Sequence, residues 1–294
     1  MTPAGFTSGR FDHDGVGIAY DIGGSGDSDQ PPLLLLHGFP QTRALWWRVA
    51  PRLAETRRVV TADLRGYGDS DKPDNPALYS FRHMGGDMLA LMSHLGFDSF
   101  DLVGHDRGAR TAHRMALDAP ARITRLALID IVPTHLLLTG LTHQVARAYY
   151  HWFFLSQPAP FPEAMILHDP DAYFESCLLG WGQSRLEDFA PDQLAAYRAA
   201  WRDPATVHGM CNDYRAAIDH DLALDAADLG RRVTCPTLVG WGADGAMGRA
   251  YDVAATWSDR LTHITPAPLP GGHFLVDTHP EPLTDALATF LARK

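Results

Sequence analysis

The stretch Gly104-His105-Asp106-Arg107-Gly108-Ala109-Arg110, GHDRGAR, sets glycines at i and i+4 with an aspartate midway between them. This is the G-x-S-x-G frame of a hydrolase nucleophile elbow, with a carboxylate where a serine hydroxyl would stand. The frame requires a strand before it and a helix after it. FDLVGH (100–105) reads as the strand and RGARTAHRMALDAP (107–120) as the helix. Asp106 therefore falls on the tight turn above a sheet, where the following helix N-terminus favours negative charge. A helix-capping aspartate is the plainer alternative, but it leaves the flanking glycines and a late histidine without a purpose.

Outward from the elbow, strands and helices alternate. LLLLH (33–37) is a bare apolar run that suits a buried parallel strand. ALWWRVAPRLAE (44–55) has helical spacing, RRVVTAD (57–63) is a strand, and SFRHMGGDMLALMSHLG (80–96) a helix with Ser80 as N-cap and Gly96 as its stop. TRLALID (124–130), CPTLVGWGAD (235–244) and LTHITPAPL (261–269) read as further strands, and HPEPLTDALATFLARK closes with a helix. Such alternation predicts an α/β fold, a mostly parallel sheet flanked by helices, with chemistry outside the carboxyl ends of the strands. Asp63, Asp106 and Asp130 all fall at or just after strand ends. Between them, residues 133–232 are aromatic-rich and helical in pattern, which predicts a helical cap inserted into a core made of 1–132 and 233–294.

The bulk composition narrows the function. With 25 basic and 35 acidic residues in 294, the net charge is −10, which argues against nucleic acid or an anionic membrane surface as a partner. Cys177, Cys211 and Cys235 form no paired motif, so a disulfide framework is not expected and a reducing cytoplasm is. The opening MTPAGFTSGRFDHDG lacks the basic and apolar regions of a signal peptide, and Leu33–Leu36 is far too short to span a bilayer. No metal-ligand spacing and no phosphate-binding loop occurs, so neither metal nor cofactor is expected, only water.

A carboxylate nucleophile is already ionised at neutral pH. Attack on an ordinary ester would give a costly anhydride, whereas attack on an sp³ carbon bearing a leaving group gives an alkyl ester of the enzyme. Alkyl halides and epoxides fit that step. A general base must then activate water, and the chain order nucleophile–acid–histidine points to His273 in GGHF (271–274). Asp130 and Asp244 compete as the acid that orients the imidazole. HGFP (37–40) offers the Phe39 N–H, and the residue after the nucleophile offers the Arg107 N–H, as an oxyanion hole.

HGFPQT, ADLRGYGDSDKP, GHDRGAR, IDIVPT, YYHWFFLSQPAP, MCNDYRAA and GGHF resemble, in order and spacing, the fluoroacetate (haloacetate) dehalogenases of the α/β-hydrolase fold, over about residues 30 to 290. The resemblance implies Asp106 as nucleophile, His273 as base and Asp130 as acid. It implies Arg107 and Arg110 as holders of the substrate carboxylate. His151, Trp152 and Tyr214 would bind the halide, Trp181 would form a pocket wall, and a homodimer is expected. A guanidinium suits a carboxylate, and imidazole, indole and phenol are compact donors to a departing halide. The rival readings are an epoxide hydrolase with the same nucleophile, a haloalkane dehalogenase, and a ligand receptor without turnover. The first two leave two cations without an anion to hold. The third predicts a broken triad.

Overall fold

The computed structural model describes residues 2–25, 29–180 and 184–292. Its strands are β1 Phe6–His13, β2 Val16–Gly23, β3 Leu33–Leu36, β4 Val59–Ala62, β5 Phe100–His105, β6 Ile123–Ile129, β7 Thr237–Gly242 and β8 Ile264–Leu269. Among the described residues they form one sheet in the order β1-β2-β4-β3-β5-β6-β7-β8. The β1–β2 and β2–β4 pairs are antiparallel and the others parallel. This is the α/β architecture expected from the alternation of elements.

The helices in chain order are α1 Ala50–Leu53, α2 Phe81–His94, α3 Arg107–Asp118, α4 Thr134–Thr139, α5 His143–Ala148, α6 Tyr150–Leu155, α7 Phe161–Leu167, α8 Pro170–Gly180, α9 Pro191–Trp201, α10 Pro204–Ala216, α11 Leu222–Ala227, α12 Ala246–Ala250, α13 Leu275–Thr278 and α14 Pro280–Leu291. Among the described residues between β6 and β7, the chain from α4 to α11 forms helices and their connecting turns. Among the described residues, no helix is long and apolar enough to cross a membrane.

Strand alternation explains the two-sided core. Successive residues point to opposite faces, so Leu34 and Leu36 join Leu102, Leu126 and Leu128 in one apolar cluster. Leu33 and Leu35 join Val103, Ala127 and Ile129 in the other. Met84, Met88 and Met115 of α2 and α3 cover the first face, and Leu283, Leu287 and Phe290 of α14 cover the second. The run LLLL is therefore apolar throughout because both of its faces are covered.

One stretch that the sequence leaves unassigned takes a definite form, and one expectation needs correction. The first eighteen residues after Gly5 form a hairpin rather than an unassigned lead-in, turning at Asp14 (φ 52°) and Gly15 (φ 77°). An Asp-Gly pair is a turn signal for this geometry. The helix expected over 44–55 is a 3₁₀ turn, Arg43–Trp46, followed by the short α1. Pro51 cannot donate to an upstream carbonyl and is accommodated only in the first turn of a new helix.

Candidate active site

The elbow is built by close backbone packing. A Cβ on Gly104 would lie 2.3 Å from the Gly108 carbonyl oxygen, and one on Gly108 would lie 2.4 Å from that of His37. Both positions therefore exclude a side chain, and α3 can begin directly against β3 and β5. Between them Asp106 adopts φ 48° and ψ −115°, a strained conformation for a residue with a Cβ. Its Oδ2 accepts the Phe39 N–H at 3.0 Å, so the expected oxyanion donor already holds one carboxylate oxygen.

Asp130 follows β6 at φ 55° and meets the loop after β8. The His273 Nδ1 lies 2.6 Å from Asp130 Oδ2, while Asp130 Oδ1 accepts the Gly242 N–H at 3.0 Å. With the carboxylate as acceptor, Nδ1 carries the proton, which leaves Nε2 unprotonated in the neutral ring, as the expected base would require. Asp244, the competing acid, is exposed, and its backbone N–H donates to the Gly271 carbonyl at 3.0 Å. Burial acts to lower the pKa of His273, but its hydrogen bond to Asp130 and the charges of Asp130 and Asp106 leave it raised. Burial acts to raise that of Asp106. The charge of His273 foremost, then those of His105, Arg110 and Arg107, brings it down to about 2. Asp106 is thus ionised across the working pH range.

His105 was not singled out in the sequence. Its Nε2 lies 2.8 Å from the His273 carbonyl oxygen and braces the histidine loop against the elbow. Burial foremost lowers its pKa to about 4, so it is a neutral donor there.

The two arginines differ. Arg107 is fully buried and paired with the equally buried Asp213 of α10. Its Nε donates to Asp213 Oδ2 at 2.8 Å, and its Nη2 to Oδ1 and to the Asp213 carbonyl oxygen. Tyr67 adds an O–H bond to the same carboxylate at 2.6 Å. Only Nη1 of Arg107 is left buried without a hydrogen-bond partner. The guanidinium therefore does not present the open fork expected from sequence. Arg110 donates from Nη1 to the Val132 carbonyl and to Thr134 Oγ1, both at 3.0 Å, and its Nε is buried without a partner. The groups Arg110 bonds are neutral, so its charge is the less compensated of the two.

The inserted helices bring the three expected halide donors together over Phe39. The Tyr214 ring lies 5.5 Å from His151, 5.4 Å from Trp152 and 5.2 Å from Phe39. The Tyr214 O–H and the Trp152 N–H are buried without hydrogen-bond partners. Burial holds the His151 pKa well below its ordinary value, so that ring is neutral. Trp181 lies outside the described residues. Asp213 was missed because a charge beside Tyr214 in a helix reads as a solvated face, and its partner lies over a hundred positions earlier in sequence.

The chain matches the α/β-hydrolase fold family over residues 31–280. It is 50% identical over 291 residues to a fluoroacetate dehalogenase of Burkholderia sp., covering 98% of this chain and 94% of that one. It is 29% identical to a soluble epoxide hydrolase of Corynebacterium sp. (strain C12), over 95% and 94% of the two chains. A solved structure from Nostoc sp. PCC 7120, 44% identical, superposes with a TM-score of 0.95 over 98% of this chain and 99% of that one. The chain thus belongs to the α/β-hydrolase family and, within it, to the fluoroacetate (haloacetate) dehalogenases.

Proposed function

We propose that this protein hydrolyses small 2-haloacids, taking a haloacetate such as fluoroacetate to glycolate and halide, with residues 133–232 as a cap over the site. The observation that carries the reading is the buried, ionised Asp106 beside an under-compensated Arg110 and two unpartnered donors, Trp152 and Tyr214. Arg110, with Nη1 of Arg107, holds the substrate carboxylate and sets the α-carbon before Asp106. Because Phe39 holds Oδ2, Oδ1 is the attacking oxygen. It bonds the α-carbon as the carbon–halogen bond breaks, and the halide leaves with the electron pair toward His151, Trp152 and Tyr214.

The second step uses the other half of the site. His273 Nε2 removes a proton from water, and the hydroxide adds to the Asp106 carbonyl carbon. The charge gathers on Oδ2, between the amides of Phe39 and Arg107. Collapse breaks the bond from the carbonyl carbon to Oδ1. Glycolate leaves with that oxygen and takes the proton from His273, and the water oxygen stays on Asp106. Asp130 keeps the imidazole in the required tautomer. A neutral epoxide would leave the Arg110 charge without an anion, and the epoxide hydrolase relative is the more distant of the two.

The test is halide release from fluoroacetate and chloroacetate with two variants. Asp106→Ala abolishes release. His273→Asn releases one equivalent and retains an added acetate mass on the protein. Full turnover by Asp106→Ala, or one-equivalent release with no adduct from His273→Asn, would overturn the two-step scheme.

A further inference from the structure

Arg107 sits where a second role becomes visible. Its guanidinium carbon lies 4.5 Å from the centroid of Tyr214, 4.9 Å from that of Trp152 and 4.6 Å from that of Phe81. Two of those rings carry the buried O–H and N–H that face no partner within the protein. Asp213 takes the Nε and Nη2 side of the guanidinium, so the cation is pinned against the ring faces instead of being free to turn.

We propose that Arg107, positioned by Asp213, belongs to the halide site: its charge on the Tyr214 and Trp152 faces strengthens their O–H and N–H as donors to the departing halide. The inference rests on the haloacid reading and extends it. A cation over an aromatic face draws on the ring's negative quadrupole. Withdrawal of that density leaves the phenol and indole hydrogens more positive. In a dry site such polarisation is little screened.

The counter-charge of Asp213 works in the opposite direction, so the balance matters. Burial, then the charge of Asp106, raises the Tyr214 pKa, Arg107 lowers it, and Asp213 raises it by less than Arg107 lowers it. The guanidinium carbon itself lies 4.5 Å from the Tyr214 centroid, so the cation is the partner of the ion pair seated on the ring. The pair also explains its own burial. A buried ion pair is weak as a stabilising device, but it fixes a charge at one orientation between the cap helix and the elbow.

Leaving groups separate this role from holding the carboxylate. Fluoride needs the most help from donors as it departs and bromide the least, whereas the carboxylate is the same in every haloacetate. The experiment measures single-turnover rates of halide release from fluoro-, chloro- and bromoacetate. The proteins are wild type, Arg107→Lys, and the paired variant Arg107→Met with Asp213→Asn, which removes both charges and leaves no buried ion alone.

The paired variant is expected to lose at least about tenfold more rate on fluoroacetate than on bromoacetate, a difference of one decade in transition-state stabilisation. Arg107→Lys, which keeps the charge, recovers part of that ratio. Arg110, whose guanidinium carbon also lies 4.9 Å from the Trp152 centroid, is left unchanged in every protein so that its share of the field at the indole stays constant. An equal loss across the three halides in the paired variant overturns the proposal and leaves Arg107 as a carboxylate holder. No ratio recovered by lysine overturns it too, because packing rather than charge would then be responsible. If wild type releases halide from none of the three, the haloacid reading itself fails, and the proposal with it.

Discussion

In the proposed two-step reaction His273 would occupy two electrostatic settings. In the free protein the hydrogen bond and charge of Asp130 and the charge of Asp106 outweigh burial and hold its pKa above the ordinary value. Forming the proposed ester would remove the Asp106 charge, so one of the causes keeping the imidazole protonated would vanish when a base is needed. The first step needs no such change, because Asp106 stays ionised down to about pH 2. The two steps should therefore part at acid pH. At about pH 5, below the ordinary histidine pKa, the expected result is a burst of one halide per site followed by slow turnover, with the ester accumulating. Rapid-quench halide assay with intact-mass measurement reads both. A burst that disappears in parallel with turnover would place the titrating group in the first step instead.

At the scale of the element, the elbow depends on α3 lying directly against β3. The Cβ of an alanine at 108 would meet the carbonyl oxygens of His37 at 2.4 Å and Leu36 at 2.5 Å, and neither is a flexible side-chain end. Gly108→Ala must then push α3 off the sheet, at a cost of roughly 1–3 kcal/mol or more. It should also move Asp106 away from the Phe39 N–H. Thermal melts and fluoroacetate turnover check the two effects together, and a variant with unchanged melting and activity would show that the backbone can yield. This element was legible because its constraints are local: two glycines, a strand before and a helix after. The 6–23 hairpin carries a signal in its Asp14-Gly15 turn but stays unassigned from the sequence, because its alternation of polar and apolar residues is broken by glycines. The 44–55 stretch misled because helical spacing persisted through Pro51, which periodicity alone does not weigh.

Across the whole molecule, the parts joined over long sequence distances were the least legible. The triad could be ordered from the sequence, but the choice between Asp130 and Asp244 turned on which strand end faces the histidine loop. The Arg107–Asp213 pair and the buried Asp277 carried no local signal at all. Asp277 joins three regions at one carboxyl: Gln41 Nε2 from the segment after β3, the Tyr197 O–H of α9 at 2.8 Å, and its own helix α13, which follows His273. Burial foremost raises its pKa to about 7, against the Tyr197 and Gln41 hydrogen bonds and the charge of Arg48. The folded protein thus holds this proton more tightly than the unfolded chain does. Its contribution to stability is complete below about pH 4 and is lost as pH rises through about 7. Asp277→Asn carries no titrating proton, and the buried Gln41 Oε1, which has no partner, can accept from the introduced amide. The melting temperature of wild type relative to this variant should therefore fall by several degrees between about pH 5 and about pH 8, the order expected for a few kcal/mol in a chain of this size. Calorimetry at the two pH values measures it. A wild-type advantage that grows with pH would mean that the fold stabilises the ionised carboxylate, and the core–cap junction would then be held by charge rather than by a shared proton.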